Sequence, residues 1–380
     1  MILSKIGTNK VSSSIDWLLV IFMIPVLGAG LVTMKSFTGE ASTFFSHQLM
    51  WIGISFAVLF FLSFVDFRFL KRTDVLVTLF FIFSGFLLLL FIFGHTSNGA
   101  KSWFSLGGFS FQPSDMMKLV VILMLAKYFS RRHVEIDNFK HILISGIYAF
   151  IPFILILMQP DFGSAIIIFC IWFGMTLVSG ISKRHLLIVV GVMAVAFVLL
   201  WGFVFKTYQK ERIANFIQPL SNVHGSGYNV YQSTIAVGSG QLLGKGVGFG
   251  TQSRLNFLPE YQTDFIFAAF SEEWGFVGVI ILFILLGLIV WRILHIALLG
   301  TTNFEILYGI GLAIYFMTHF IINIGMNIGI MPVTGITLPF MSYGGSHLLT
   351  EFISLGILMG MNRYGRVAHR DDMHNEFLGI

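Results

Sequence analysis

The sequence predicts an all-α integral membrane protein with about ten transmembrane helices and one long loop. Of its 380 residues, 56% are hydrophobic and only 11% are charged, whereas soluble globular chains carry about 25% charged residues. Apolar stretches of roughly 20 residues, the length that crosses a bilayer as a helix, recur along the whole chain. This composition excludes a soluble fold, and we expect a single polytopic membrane domain over residues 1–380.

Ten apolar segments are predicted to span the membrane, with ends accurate to about four residues. The first follows a short basic leader, but it is long and many more follow it, so we expect an uncleaved helix. The fourth segment is short for a crossing. The fifth and sixth are separated only by a tight turn at residues 159–161. The ten segments are residues 15–34, 48–66, 73–94, 113–129, 141–158, 162–180, 185–205, 264–292, 304–330 and 344–363.

Lysine and arginine are unevenly divided between the two alternating sets of loops. The short loops of one set contain only Lys35 and Lys101. The other set contains Lys5, Lys10, Arg68, Lys71, Arg72, Arg131, Arg132, Lys140, Lys183, Arg184, Arg292, Arg363, Arg366 and Arg370. Because basic flanks resist translocation, both termini are predicted to be cytoplasmic. The net charge of +5 therefore indicates topology, and we expect no nucleic-acid partner.

Residues 206–263 form the long loop, of about 58 residues, which the topology places outside the cytoplasm. Long ordered loops usually carry function, although a flexible connector is the alternative. Its glycine-rich part, GSGQLLGKGVGFG, superficially resembles a phosphate-binding loop. Ser239 stands where that motif needs its first glycine, and Gly246 stands where it needs Ser or Thr, so a nucleotide site is not expected.

Acidic residues within or beside membrane helices are the next signal, because each costs roughly 2.5–3.5 kcal/mol to insert and is therefore a functional candidate. Those near helix ends on the predicted external side are Asp115, Asp161, Asp264, Glu272 and Glu273, and Glu351 lies deeper in the last span.

Each candidate also has a purely structural interpretation. Asp115 and Lys118 are three residues apart on one helix face and could neutralise each other. Asp161 and Asp264 each open an apolar run, where a carboxylate can cap a helix. His319, Asn323 and Asn327 share a face at helical spacing, which favours interhelical hydrogen bonds over a metal site. No histidine pair has zinc-ligand spacing, and the single cysteine, Cys170, excludes a thiolate cluster.

Six segments between Trp17 and Arg363 carry a family resemblance. They are FQPSD followed by Lys118, QPDFGSA from Gln159, GYNVYQSTIAVGSG from Gly227, GKGVGFGTQ, FLPEYQTDFIFAAFSEEWG and PVTGITLPFMSYGGS. Together they are specific, and the chain resembles the shape, elongation, division and sporulation family. The form PVTGI is more similar to the rod-elongation branch than to the division branch.

The resemblance implies a ten-helix glycosyltransferase of the bacterial cytoplasmic membrane that polymerises lipid II into glycan strands. It implies a class B penicillin-binding protein as the transpeptidase partner. The family's essential aspartate falls on Asp264, and its polar external cavity on Lys118, Asp161, Glu260 and basic residues of the loop.

Four positions depart from the family pattern. Asp115 replaces a glutamate, Ser102 replaces an arginine while Lys101 carries the charge, Gln262 replaces a histidine, and Glu351 stands where an apolar residue is usual. These departures concern fine substrate contacts and leave Asp264 in place.

The expected reaction is an inverting transfer in which a sugar hydroxyl attacks C1 and expels a lipid diphosphate. That chemistry needs a general base and cations near the diphosphate. We expect Asp264 to be the base, with Glu260 and Asp115 as competing candidates. The expected cations are Lys118, Lys206, Lys210, Arg212, Lys245 and Arg254, and a divalent ion, Mg²⁺ or Mn²⁺, could assist. The alternatives are a flippase for the same lipid and the division-specific paralogue.

Overall fold

The computed structural model describes residues 15–36, 41–97, 100–106, 109–131, 139–204, 207–218, 227–255, 257–258 and 260–378. Lys5, Lys10, Lys206 and Arg132 lie outside the described residues, as do the side chains of Lys101, Arg212, Arg366 and Arg370.

Helices occupy all ten predicted segments. They are α1 Trp17–Ser36, α2 Ala41–Ser63, α3 Thr73–Phe93, α4 Pro113–Ser130, α5 Phe139–Met158, α6 Phe162–Val178, α7 Lys183–Leu199, α11 Ile266–Leu298, α12 Asn303–Asn327 and α13 Gly345–Leu378. Three shorter helices, α8 Thr207–Ile217, α9 Tyr228–Ser239 and α10 Thr251–Arg254, lie in the long loop. The interpretation of that segment as a flexible connector is therefore wrong for its described part.

Some predicted helix ends are wrong by more than the expected margin. Helix α2 begins at Ala41 rather than at 48, α11 ends at Leu298 rather than at 292, and α13 continues to Leu378 rather than to 363. Helix α7 ends at Leu199 rather than at 205, and a π-helix over Leu200–Val204 completes that segment. Helices α2 and α13 extend through polar residues that hydropathy does not mark, whereas α11 continues past the charged Arg292 into a further apolar stretch at residues 293–298.

Within the described residues, six helices are long and apolar enough to cross a membrane. These helices are α1, the Thr43–Ser63 part of α2, α3, α5, α11 and α12. Helix α6 is apolar but shorter. The total of ten crossings stays a prediction. Many large apolar side chains on these helices are exposed, as lipid-facing surfaces require, for example Ile21, Phe81, Ile92, Ile147 and Ile284.

Helix α4 lies at the centre of the bundle, packed against α3, α5, α6, α12 and α13. Nearly all its residues from Pro113 to Ala126 are buried, including Asp115 and Lys118. A helix that is buried all round explains why this short segment needs no lipid-facing stripe.

Helix α11 is interrupted at Gly275, whose backbone angles (φ 64°, ψ −167°) are not helical. Residues 241–246 of the long loop insert at this break. Four backbone hydrogen bonds of 2.9–3.1 Å join the two segments: Lys245 N–H to Glu272 O, Gly246 N–H to Glu273 O, Phe276 N–H to Gln241 O and Val277 N–H to Leu242 O. The predicted continuous span 264–292 is thus two half-helices. The backbone N–H and C=O groups that the break frees are hydrogen-bonded by the inserted loop, as a membrane protein requires.

A three-stranded antiparallel sheet, which the sequence analysis did not predict, joins α3 to α4. Its strands are β1 His95–Ser97, β2 Ala100–Leu106 and β3 Phe109–Phe111, in the order β1-β2-β3. The buried Ser102 lies in β2. The sheet leads directly into the FQPSD motif at the start of α4, and so sets where that motif enters the bundle.

The end of the bundle that carries the basic loops is held by ion pairs. Arg292 contacts Asp16 at 2.7 Å, and Lys71 contacts Glu305 at 2.8 Å. These contacts join the residue before α1 to the last part of α11, and the segment before α3 to the first turn of α12. They agree with the grouping of Lys71 and Arg292 on one side of the membrane, and the family motifs gather at the opposite ends of their helices.

Candidate functional site

The turn that carries Asp264 is fixed through its backbone. Three consecutive carbonyl oxygens accept hydrogen bonds from other elements: Gln262 from Tyr343 N–H at 2.8 Å, Thr263 from Ser342 Oγ at 2.6 Å, and Asp264 from the Nδ2 groups of Asn323 and Asn327, both at 3.0 Å. The predicted interhelical bond is confirmed for Asn327, whose Oδ1 accepts from Ala268 N–H of α11 at 3.1 Å. Asn323 instead binds the backbone of non-helical segments, at Asp264 O and Ile336 O.

The Asp264 side chain is half-buried and lies at the start of α11. The N-cap position of α11 belongs to Phe265, which makes no side-chain cap bond. Gly335 lies against the carboxylate, since a Cβ at this glycine would be 3.4 Å from Asp264 Oδ2. Its φ of +72° also favours glycine there. Capping through the N-cap position is therefore not the role of Asp264.

Glu260 shapes the same turn from the loop side. Its carbonyl oxygen accepts from Thr263 N–H and Phe265 N–H, and its own φ is +47°. The Thr263 hydroxyl lies 3.3 Å from the Glu260 carboxylate. The loop that precedes α11 therefore helps to fix this helix end, together with α12 and the segment before α13.

Three other motifs meet at the N-terminal ends of α4, α6 and α13. Gln112 donates through Nε2 to Asp161 at 3.1 Å and through its backbone N–H to Ser346 Oγ at 3.1 Å. Asp161 also caps α6, as predicted, by accepting from Ser164 N–H at 3.0 Å. FQPSD, QPDFGSA and the GGS end of the last motif therefore form one polar contact region.

Residues 329–344, here called the anchor loop, connect this region to Asp264. On one side, the first turn of α6 packs so closely on the loop that a Cβ at Gly163 would lie 2.6 Å from Thr334 O. On the other side, the loop supplies the contacts to residues 262–264 described above. The buried Gln48 of α2 also binds it, through Ser342 O at 3.0 Å and Gly344 N–H at 3.3 Å.

Asp115 and Lys118 form the expected ion pair, at 2.9 Å, with both side chains almost fully buried. The pair continues into α13, because His347 Nδ1 lies 3.4 Å from Asp115 Oδ1 and His347 Nε2 lies 2.9 Å from Glu351 Oε1. The second contact has ion-pair distance without hydrogen-bond alignment. The four side chains, Asp115, Lys118, His347 and Glu351, are here called the buried tetrad.

The predicted loop cations belong to a different cluster. Lys245 pairs with Glu272 at 2.7 Å, and Glu272 also accepts from Thr251 N–H and Gln252 N–H. Arg254 donates to Gly248 O at 3.3 Å. Arg212 lies in α8, with its side chain outside the described residues. Lys118 and Lys245 are therefore engaged by different carboxylates, one in the bundle centre and one at the break in α11.

Four residues that position the site were not predicted from the sequence: Gln48, Gln112, Ser342 and Tyr343. Ser342 and Tyr343 lie within a quoted motif, whereas Gln48 has only its polarity inside an apolar span as a signal. Burial raises the pKa of the Tyr343 hydroxyl, so this side chain stays neutral. Among the described residues, no three His, Cys, Asp or Glu side chains gather as a metal-binding group.

Comparison with known proteins places these features in a family. A family model described as Cell cycle protein, covering FtsW, RodA and SpoVE, matches residues 11–367. Stage V sporulation protein E of Bacillus subtilis (strain 168) is 36% identical over 371 residues, or 94% of this chain and 100% of the relative. Peptidoglycan glycosyltransferase MrdB of Escherichia coli (strain K12) is 39% identical over 278 residues, or 73% of this chain and 75% of the relative.

Solved structures show the same likeness. A chain from a structure described as "Structural coordination of polymerization and crosslinking by a peptidoglycan synthase complex" superposes with a TM-score of 0.78 at 30% identity, covering 92% of this chain and 98% of that one. The rod shape determining protein RodA of Thermus thermophilus gives a TM-score of 0.69 at 29% identity, covering 94% and 99%. This chain is therefore a multi-pass membrane protein that belongs to the FtsW/RodA/SpoVE family, the shape, elongation, division and sporulation family.

Proposed function

We propose that this chain is a peptidoglycan glycosyltransferase that polymerises lipid II during cell elongation, with Asp264 as its general base. The observation that carries this proposal is the turn at residues 262–264, where three successive carbonyl oxygens are hydrogen-bonded to α12 and the anchor loop. Such a turn holds a half-buried carboxylate in one place, and positioned side chains are what proton transfer requires. Relatives that carry the activity in their names support the enzyme class.

The proposed reaction is an inverting substitution. The 4-hydroxyl oxygen of an N-acetylglucosamine unit attacks C1 of the other chain's N-acetylmuramic acid unit, and the C1–O bond to undecaprenyl diphosphate breaks. Asp264 takes the hydroxyl proton, and the leaving diphosphate carries away the bonding electron pair.

Positive charge near the diphosphate is assigned to Lys118 and to the loop cations Lys245, Arg254 and Arg212. Asp115, Asp161 and Glu260 are assigned to the polar cavity that receives the sugars. The described residues offer no acidic cluster built for a metal, so we assign no step to one, and a Mg²⁺ or Mn²⁺ ion would act as a companion of the substrate's diphosphate.

A class B penicillin-binding protein is the proposed partner, supplying transpeptidase activity. A structural neighbour comes from a peptidoglycan synthase complex that coordinates polymerization and crosslinking, which supports this choice. The proposed location is the bacterial cytoplasmic membrane, with both termini in the cytoplasm and residues 206–263 outside. A cysteine at Ser221 in a Cys170→Ser background should react with an impermeant maleimide in intact cells, and labelling only after lysis would contradict this topology.

The elongation role rests on a narrower basis than the enzyme class. MrdB of Escherichia coli is 39% identical and FtsW of Thiomicrospira cyclica is 38% identical, so overall similarity does not separate the two roles. The PVTGI form of residues 332–336 favours the RodA-type role. Complementation of rod-shape and division mutants by this chain would separate the roles, and rescue of division alone would contradict the proposal.

Purified protein in detergent, given lipid II and no membrane gradient, tests the enzymatic proposal against a flippase. We expect glycan polymer by gel analysis, with and without the partner as parallel samples. Repeating the assay with a chelator and with added Mg²⁺ or Mn²⁺ shows whether a divalent ion is needed. Absence of polymer under every cation and partner condition would favour the flippase.

A further inference from the structure

Glu351 is fully buried in α13, and its place in the proposed chemistry is so far unassigned. It stands where the family resemblance leads us to expect an apolar residue. A carboxylate in such a position needs partners within the protein. The structure supplies two of them, one for each oxygen: Oε1 contacts His347 Nε2 at 2.9 Å, and Oε2 accepts from the backbone N–H of Phe340 at 3.1 Å.

The contact with Phe340 falls on a strained point of the anchor loop. Phe340 has φ +64°, a conformation that bulky side chains rarely adopt and that persists only where surrounding contacts impose it. Its ring is buried against Phe316 and Phe352. The carboxylate of Glu351 therefore holds the N–H of a residue whose backbone conformation needs support.

Phe340 is connected to Asp264 by a short run of contacts. Two residues later, Ser342 accepts from Leu338 N–H at 2.8 Å and donates to Thr263 O at 2.6 Å. The next residue, Tyr343, donates to Gln262 O. A displacement of Phe340 would therefore move both contacts that the anchor loop makes to the turn preceding Asp264.

The remaining members of the buried tetrad can neutralise the negative charge of Glu351. A protonated His347 ring would contact carboxylates through both nitrogens, Glu351 on one side and Asp115 on the other, and Lys118 pairs with Asp115. Two negative and two positive groups then balance. The other titratable groups facing the ring are Tyr315 and His319 of α12, whose ring centroids lie 6.5 and 4.9 Å from it.

From these contacts we infer that Glu351 is a positioning residue for Asp264, acting through Phe340 and the anchor loop. The inference rests on the proposed role of Asp264. The role of Glu351 depends on a hydrogen bond rather than on its charge. An acceptor at position 351 holds the N–H of Phe340. Phe340 in turn holds Ser342 and Tyr343 in place, and these two residues bind the turn at residues 262–264.

Two substitutions separate the acceptor from the charge. Glu351→Gln keeps an oxygen for Phe340 N–H, and its amide can donate to a neutral His347. Glu351→Leu removes the acceptor. We expect lipid II polymerisation by the Gln variant within about threefold of wild type, and a loss of about tenfold or more in kcat with little change in KM for the Leu variant. Thr350→Val is the matched control, because within the described part of the chain its buried hydroxyl bonds only Ser346 O of the same helix, and wild-type kinetics are expected.

Backbone hydrogen exchange gives a readout that does not depend on activity. The Leu variant should exchange faster than wild type at residues 338–343 and 260–265, whereas the Gln and Thr350→Val variants should not. If Glu351→Leu yields no folded protein, the pair His347→Leu with Glu351→Leu removes one positive and one negative group together, and the same losses are expected.

Equal losses in the Gln and Leu variants would overturn the inference, because the charge and not the acceptor would then matter. Unchanged exchange or unchanged kcat in the Leu variant would also overturn it. Failure of the proposed base is distinguishable, because an active Asp264→Asn variant would refute that role while exchange at residues 260–265 still reports whether Glu351 positions the turn.

Discussion

Two of the turns that pack on the anchor loop present an aspartate just before a helix, yet they use it differently. At the start of α6, both oxygens of Asp161 accept hydrogen bonds, one from Ser164 N–H and one from Gln112 Nε2. At the start of α11, the contacts that fix the turn go to the backbone carbonyls of residues 262–264, and the N-cap is Phe265. Both turns pack on the anchor loop.

The difference separates a structural carboxylate from a reactive candidate. A carboxylate that caps a helix is the contact that holds its turn, so its removal loosens the turn. A carboxylate on a turn that is held by other groups can exchange protons without disturbing the backbone. The backbone of the Asp264 turn is held by α12 and the anchor loop, whereas the Asp161 carboxylate is itself the cap of its helix, and the proposed base is therefore Asp264.

Loosening the turn from the α12 side should have the largest effect on stability. Asn323→Ala removes one of the two donors to Asp264 O and the donor to Ile336 O, and a buried carbonyl left without a partner costs roughly 1–3 kcal/mol. We expect a clear fall in thermal midpoint in detergent together with reduced polymerisation. Thr318→Val on the same helix loses only a bond to its own turn and serves as control. Equal midpoints for the two variants would show that the asparagine does not hold the turn.

Crowding the contact between α6 and the anchor loop should have the next largest effect. In Gly163→Ala the added Cβ would lie 2.6 Å from Thr334 O and 2.9 Å from Ile336 Cγ1, so the loop must shift, at a cost of about 1–3 kcal/mol. Polymerisation should fall because the same loop holds residues 262–264. Gly28→Ala, where a Cβ meets nothing within 4 Å, should behave as wild type. Wild-type activity of Gly163→Ala would argue that the two turns are independent.

Removal of the α6 cap should have the smallest effect on stability. Asp161→Ala should cost about 1 kcal/mol, whereas Asp161→Asn should retain most of the stability because asparagine caps nearly as well. Denaturant titration in detergent measures both. A loss of several kcal/mol in the Asn variant would indicate that the charge, and not the cap, matters at this turn.

The helices could be predicted from the sequence because hydropathy reports burial in lipid directly. The Asp161 cap and the Asp115–Lys118 pair could also be predicted, because each involves residues three apart along the chain. The spacing of Asn323 and Asn327 predicts that they share one face of α12. It does not predict that both bind the backbone oxygen of Asp264. Local patterns of this kind identify the groups without identifying their distant partners.

The rest depends on contacts between segments far apart in the sequence. Residues 241–246 insert at the break at Gly275. The apolar sequence around Gly275 carries no signal that predicts such an insertion. The hydrogen bond between Ser342 and Thr263 joins residues 79 apart. Nothing around Glu351 in the sequence indicates that its oxygen binds Phe340, because that contact requires the left-handed backbone of the anchor loop.

The most direct test of the central claim compares Asp264→Asn with Asp161→Asn in one polymerisation assay. Both variants remove a charge with little change of shape, and both should fold and bind the partner as wild type does. Loss of a general base costs about 10²- to 10⁴-fold in rate, so Asp264→Asn should abolish visible polymer while Asp161→Asn, altered in a cap and a cavity contact, should lose less. Polymerisation by Asp264→Asn within about threefold of wild type would contradict the account and make Glu260→Gln the next variant to measure.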